Sequence, residues 1–204
     1  MLDLGNIMAD IFTTRIIRDL SKNKNRILDA GCGAGVQALY LARRNLESLV
    51  YGYDISTEQI AGAEGCKQKH KITNAYFSIA SHDNFEPPYK MDFIYSCGSL
   101  VGDHEIPPYS ADVLESVEEL VRKRLTKFNE MLATNGIYLF IWGAIPDCNN
   151  RFIKIARECQ FKHSSTRIAE ERRFKHSSTR TNDLIGYIEY FGEPIRLSAL
   201  IFAK

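Results

Sequence analysis

The sequence predicts an α/β fold, a doubly wound and mostly parallel sheet with helices on both faces, built as a single domain over residues 1–204. Three observations carry this. A short apolar strand, Arg26 to Ala30, runs straight into the turn Gly31-Cys32-Gly33-Ala34-Gly35 and then into a helical stretch, Val36 to Arg44. Further apolar runs at Leu49 to Tyr53, Met91 to Ser96 and Ile137 to Trp142 alternate with segments of helical period, as parallel strands joined by crossover helices do. The first two strands carry carboxylates near their ends, Asp29 and Asp54, on the side of an open sheet where ligands bind. A chain of 204 residues is long enough for one domain with a sizeable core, or at most two small ones.

The first element is a helix. Leu4, Ile7, Met8, Ile11, Phe12, Ile16 and Leu20 recur at helical spacing, so residues 1–25 hold an amphipathic helix that covers the core. Strand one and its turn follow. Glycine at every second position lets a ligand touch the backbone and tolerates the positive φ of a sharp strand-to-helix reversal. The amides that open the next helix point at the same spot.

The dinucleotide fingerprint Gly-x-Gly-x-x-Gly would need its third glycine where Val36 stands. Asp29 would also repel a pyrophosphate, whereas it suits a cation such as a ligand bearing an ammonium and a sulfonium. The pattern Leu28-Asp29-x-Gly31-x-Gly33-x-Gly35 resembles the first motif of class I S-adenosylmethionine-dependent methyltransferases. The likeness runs from about Ile27 to Trp142 and fades beyond it. It implies a Rossmann-like, mostly parallel seven-stranded sheet, S-adenosylmethionine as cofactor and S-adenosylhomocysteine as product. It also implies a cofactor-binding set: Asp29, Ala30, Gly31, Cys32, Gly33 and Gly35 from the first motif, Asp54 and Ile55 after strand two, Ser81, His82 and Asp83 after strand three, and Cys97 and Gly98 after strand four.

Strand two ends at Asp54, 19 positions beyond Gly35, about where an acid that binds ribose hydroxyls is expected. Ser56-Thr57-Glu58-Gln59 is a capping box that starts a helix running to about His70. Asn74 to Ala80 is a third strand. In the segment Ser81-His82-Asp83 the family usually has an acid at the strand end near the adenine amino group. Here that position is Ser81 and the acid comes two residues later, so the adenine contact is left open among a hydroxyl, a backbone amide and Asp83. His82 reads as a solvated loop histidine.

Strand four, Met91 to Ser96, resembles the family's Phe-Asp-x-Val element and leads into a loop with two prolines. Cys97 to Ser99 should line the cofactor's other side. His104, Asp103 and Tyr109 are then best placed to meet an acceptor, with His104 the first candidate base because its ordinary pKa suits that task. The Asn-Pro-Pro-Tyr and Asp-Pro-Pro-Tyr motifs of amino-group nucleic-acid methyltransferases are missing, since Cys97-Gly98-Ser99-Leu100 stands there. Val113, Val117, Leu120, Val121, Leu125, Phe128 and Leu132 trace one face of a long helix from Ser110 to Ala133, stopped by Asn135-Gly136. Ile137 to Trp142 is a continuous apolar fifth strand with Trp142 read as core. Asn149 to Cys159 is a further helix and Arg196 to Ala203 a final strand.

Between these last two the word Phe161-Lys162-His163-Ser164-Ser165-Thr166-Arg167 recurs unchanged as Phe174 to Arg180. Two copies exclude a solenoid. The repeat reads as a short tandem duplication or a sequence artefact within an irregular or hairpin region, residues 161–195, near the sheet edge. Residues 151–180 carry nine Lys or Arg against three Glu, but few aromatics interleave them, which argues against a nucleic-acid surface.

With 26 basic and 25 acidic side chains, net charge points to no partner. An odd count of 5 cysteines without Cys-x-x-Cys spacing predicts reduced thiols, no metal site and a cytoplasmic setting. No secretory signal or membrane span is expected, and the oligomeric state is left open. Taken together, the residues and the resemblance predict methyl transfer to a small-molecule or side-chain acceptor. Two rivals stand beside it. One is an aminopropyltransferase-like enzyme, which the run of acids from Asp92 to Glu119 keeps open; the other is a cofactor-binding, catalytically inactive interaction domain.

Overall fold

The computed structural model describes residues 12–100, 117–143, 146–170 and 196–204. In chain order these form α1 (Phe12–Ser21), β1 (Arg26–Ala30), α2 (Val36–Arg44), β2 (Leu49–Asp54), α3 (Thr57–Lys69), β3 (Ala75–Ile79), β4 (Met91–Cys97), α4 (Glu118–Met131), β5 (Leu132–Gly143), α5 (Pro146–Glu158), β6 (Lys162–Glu170) and β7 (Arg196–Ala203). Seven strands make one sheet in the order β3-β2-β1-β4-β5-β7-β6. β1 pairs in parallel with both β2 and β4, and the chain reverses direction across the sheet at this pair. β7 inserts antiparallel between β5 and β6. The expected seven-stranded, mostly parallel, doubly wound sheet is therefore what the chain forms.

Alternation along each strand divides the core in two. Leu28, Ile94, Tyr138, Phe140, Leu200 and Phe202 point to one face, where Leu125 and Phe128 of α4 and Phe152 and Ile155 of α5 cover them. Ile27, Val50, Phe93, Tyr95, Leu139 and Ile201 point to the other, under Ile16 and Ile17 of α1 and Leu39 and Leu41 of α2. Each large side chain removed from water in this way contributes on the order of 1.5–3 kcal/mol.

The N-terminal helix is described from Phe12 onward, and the part expected before it lies outside the described residues. Two local features differ from the sequence reading. α4 stops at Met131 rather than Ala133: Met91 pairs with Leu132 while Phe93 pairs with Ile137, so residues 133–136 bulge from β5. A Cβ on Gly136 would lie 2.9 Å from the Ala133 carbonyl oxygen, so this excursion needs glycine. The region expected to be irregular or a hairpin starts with a regular strand, because the first copy of the duplicated word opens β6 at the sheet edge. The second copy lies outside the described residues. Among the described residues, no helix is long and apolar enough to cross a membrane.

Candidate cofactor site

The turn at residues 31–35 is held by backbone bonds to the end of β2. Gly31 N and Cys32 N both donate to Tyr53 O, at 3.0 and 2.8 Å, and Gly35 N closes the turn on Cys32 O at 2.9 Å. All three glycines sit at positive φ, 79°, 52° and 71°, yet their surroundings differ. A Cβ on Gly31 would overlap the Ser99 side chain at 2.3 Å, and one on Gly35 would overlap Phe77 at 2.8 Å and Ala63 at 2.9 Å. At Gly33 the nearest atom would be Gln59 Oε1, 3.9 Å away, and at Gly98 there is open space. Gly31 and Gly35 are thus needed for packing, and Gly33 and Gly98 leave backbone accessible.

Two carboxylates flank this opening. Asp54 Oδ2 accepts from Gly33 N at 2.9 Å and Oδ1 accepts from Ser56 N at 2.9 Å, so the acid ties the glycine turn to the start of α3. This corrects the capping box. Ser56 Oγ does accept from Gln59 N at 3.2 Å, but the return bond to Ser56 N comes from Asp54 instead of Gln59. Each Asp54 oxygen keeps a lone pair for a further donor. Ile55 beside it is an apolar side chain 74% exposed among the described residues.

Asp29 is 2% exposed on the α2 side of β1. Burial raises its carboxyl from the ordinary 3.8 to about 7, the nearby Asp54 charge adds to the rise, and Tyr95 and the Ala38 amide in the first turn of α2 act against it. The Tyr95 hydroxyl makes no hydrogen bond of normal geometry, so it is at best a weak partner for this acid. A buried acid near half-ionisation is an incomplete arrangement that a cation would complete. Cys32 lies between the two acids, and burial followed by their charges pushes its thiol well up, which makes it a packing residue rather than a nucleophile.

After β3 the three expected residues separate. Ser81 Oγ donates to Asn84 Oδ1 at 3.1 Å. Asp83 turns to α4, where Lys123 Nζ meets it at 3.0 Å and lowers its pKa, and its carbonyl accepts from Lys127 Nζ at 2.8 Å. His82 is not the solvated loop residue its position indicates. It is 8% exposed, with Nδ1 2.7 Å from the Tyr53 hydroxyl and Nε2 2.7 Å from the Ser99 carbonyl oxygen. The sequence signal that could have found it is the departure itself, a ring in the segment that follows β3.

Cys97 ends β4 exposed, and Gly98 N donates to Ile141 O at 2.9 Å, which aligns the segment after β4 with β5. The structure thus brings the turn at 31–35, Asp54, Ile55, His82 and residues 97–99 to the carboxyl ends of β1, β2, β3 and β4. His104, Asp103 and Tyr109 lie outside the described residues, as does the side chain of Trp142.

A mostly parallel open sheet with a backbone-exposing glycine turn at the β1–β4 switch point, flanked by two acids, is the arrangement at which folds of this class bind ligands. A family model described as a methyltransferase domain matches residues 21–176, and this chain belongs to that family. Among solved structures it is similar to the [4+2]-cyclase SpnF, at a TM-score of 0.66 and 16% identity over 94% of this chain and 81% of that one. It is also similar to coclaurine N-methyltransferase bound to N-methylheliamine and SAH, at 0.64 and 14% over 94% and 72%. At these identities the likeness is one of fold. A curated relative, phycocyanin operon protein W of Pseudanabaena tenuis, is 43% identical over 53 residues, 26% of this chain and 50% of that protein, so the match spans half the length of the relative.

Proposed function

We propose that this domain binds S-adenosylmethionine, releases S-adenosylhomocysteine and transfers the methyl group to a small-molecule acceptor. The observation that carries the reading is the pairing of Asp54 with the open backbone of Gly33 on one side and buried Asp29 on the other. Asp54 receives the ribose hydroxyls through its remaining lone pairs, and Ile55 supplies an apolar wall for the base. Asp29 receives the ammonium of the amino-acid tail, a match of charge that a pyrophosphate would not offer. The cofactor supplies a methyl group on a cationic sulfur that leaves as a neutral thioether. The protein's task is therefore alignment, and positioning of this kind supplies on the order of 7–11 kcal/mol.

The acceptor side is assigned to His104, Asp103 and Tyr109. His104 acts as base where the acceptor arrives protonated, taking the proton as the nucleophile gains the methyl group. Metal plays no part in this scheme. The odd count of 5 cysteines, without Cys-x-x-Cys spacing, supports a reducing, cytoplasmic setting. The likeness to a cyclase favours testing transfer separately from binding, since the same fold serves both kinds of protein.

Calorimetry with S-adenosylmethionine, S-adenosylhomocysteine and NAD tests the binding half: the first two bind and NAD does not. Asp54→Ala weakens binding at least about tenfold, the loss expected when charge-assisted hydrogen bonds are removed. Unchanged affinity would sink the ribose assignment. Radiolabelled cofactor offered with metabolite pools tests transfer and identifies the acceptor.

A further inference from the structure

Three side-chain contacts hold the segment after β4, one each to the segment after β3, to the end of β1 and to α4. His82 Nε2 lies 2.7 Å from Ser99 O, Ser99 Oγ donates to Ala30 O at the end of β1, and Arg124 Nη1 donates to Leu100 O. Two successive carbonyls, Ser99 and Leu100, are thereby each held by a side chain. Ser99 is also the residue that backs Gly31, where an added Cβ would meet its side chain at 2.3 Å.

The chemistry of His82 follows from its partners. A carbonyl oxygen accepts only, so Nε2 carries the proton and Nδ1 accepts from the Tyr53 hydroxyl at 2.7 Å. Tyr53 stays protonated because burial raises its pKa, and desolvation lowers His82 to about 4 despite the Ser99 bond. The ring is packed edge-on to Tyr53 and to Phe128 of α4, at 5.5 and 5.6 Å. Both nitrogens are spent and the ring is buried, so His82 offers no atom to adenine or to an acceptor.

We propose that His82 is a positioning residue of the cofactor site: through the Ser99 carbonyl it fixes the residue whose side chain backs Gly31, so the amino-acid half of the cofactor depends on it and the nucleoside half does not. The proposal rests on the S-adenosylmethionine reading. On that reading the tail lies by Gly31 and Asp29, whereas the ribose is held by Asp54, whose bonds go to Gly33 and Ser56.

Calorimetric titration of S-adenosylhomocysteine and of adenosine into wild type, His82→Leu and His82→Gln tests it. His82→Leu loses about tenfold for S-adenosylhomocysteine, in keeping with one lost buried hydrogen bond, and less than about twofold for adenosine. His82→Gln, whose amide retains a donor for Ser99 O, recovers most of the loss. Equal losses for both ligands, or a Gln variant as weak as Leu, would overturn the proposal and leave His82 a packing residue. Wild type that binds neither ligand would instead remove the S-adenosylmethionine reading, and the proposal with it. Should His82→Leu fail to fold, imidazole 15N shifts of the wild-type protein decide. The Nε2–H tautomer, perturbed by S-adenosylhomocysteine and not by adenosine, supports the proposal, and a ring perturbed equally by adenosine contradicts it.

Discussion

Gly31 and Gly33 share a turn and a left-handed backbone but not a neighbourhood, and this separates stability from binding. Gly31→Ala drives a Cβ into Ser99 and lowers both. Gly33→Ala meets no atom closer than 3.9 Å, so its cost is the left-handed strain of about 1–2 kcal/mol. On the proposed reading its methyl group stands where the ligand touches the backbone, so denaturant titration should show a modest loss while cofactor affinity falls more than tenfold, as expected of a blocked close approach, about 1.4 kcal/mol per decade. Loss of stability with binding intact would reverse the assignment. Asp29 is the pH-sensitive residue. Its folded value near 7 lies above the ordinary 3.8, so the fold disfavours its charge: the contribution of Asp29 to stability is fully present below about 4 and is lost as pH rises through 7. Asp29→Asn flattens that decline, measurable as melting temperature against pH. A cationic ligand reverses the preference, so S-adenosylmethionine affinity in wild type drops as pH falls below 7, and in the Asn variant it is weak and independent of pH across that window. The strand, the turn and Asp54 are legible in the sequence because their signal is local. The burial of His82 is not, since its partners Tyr53 and Ser99 are 29 and 17 residues away.

β6 is the element on which the duplicated word bears. Phe161 is 3% exposed and its ring packs 5.7 Å from Phe202, while His163 packs 5.7 Å from the same ring. An edge strand with one paired side depends on such contacts, and the word Phe174 to Arg180 carries the same side chains in the same order. Deleting residues 161–173 joins Gln160 to that second copy. The shortened chain should unfold cooperatively within about 4 °C of wild type, the shift that 1 kcal/mol produces in a domain of this size. Loss of the cooperative transition would mean that the first copy has a role its sequence does not reveal. Strand boundaries with a continuous apolar pattern, such as Arg196–Ala203, are legible. The end of α4 is not, because Lys204 Nζ caps the Asn129 and Leu132 carbonyls at 2.7 and 3.0 Å from the far end of the chain. The Asp54 bond that replaces half of the capping box is hidden for the same kind of reason: sequence shows that Gln59 can reach back, and only folding shows that Asp54 already has.

At the scale of the molecule, the sheet order sets where a ligand lies. β1 sits between β2 and β4, and the crossover reverses there, so the carboxyl ends of these three strands lie side by side at the place where open α/β sheets bind ligands. Helices on each face bury the sheet. α4 fastens the segment after β3 from one side, through Lys123 and Lys127, and through Arg124 it fastens the segment after β4. The fold class is legible because alternating strands and helices leave few other packings, and the acceptor is not, because it is chosen by side chains on loops with no fixed spacing. The claim that everything else depends on is a cationic nucleoside spanning β2 to β4. The most direct measurement is a crystal structure with S-adenosylhomocysteine bound. The account predicts ribose hydroxyls on Asp54, the base against Ile55, the ligand backbone-close at Gly33 and the amino group toward Asp29. A ligand bound elsewhere, or one whose ribose faces Asp29 with Asp54 untouched, would contradict it.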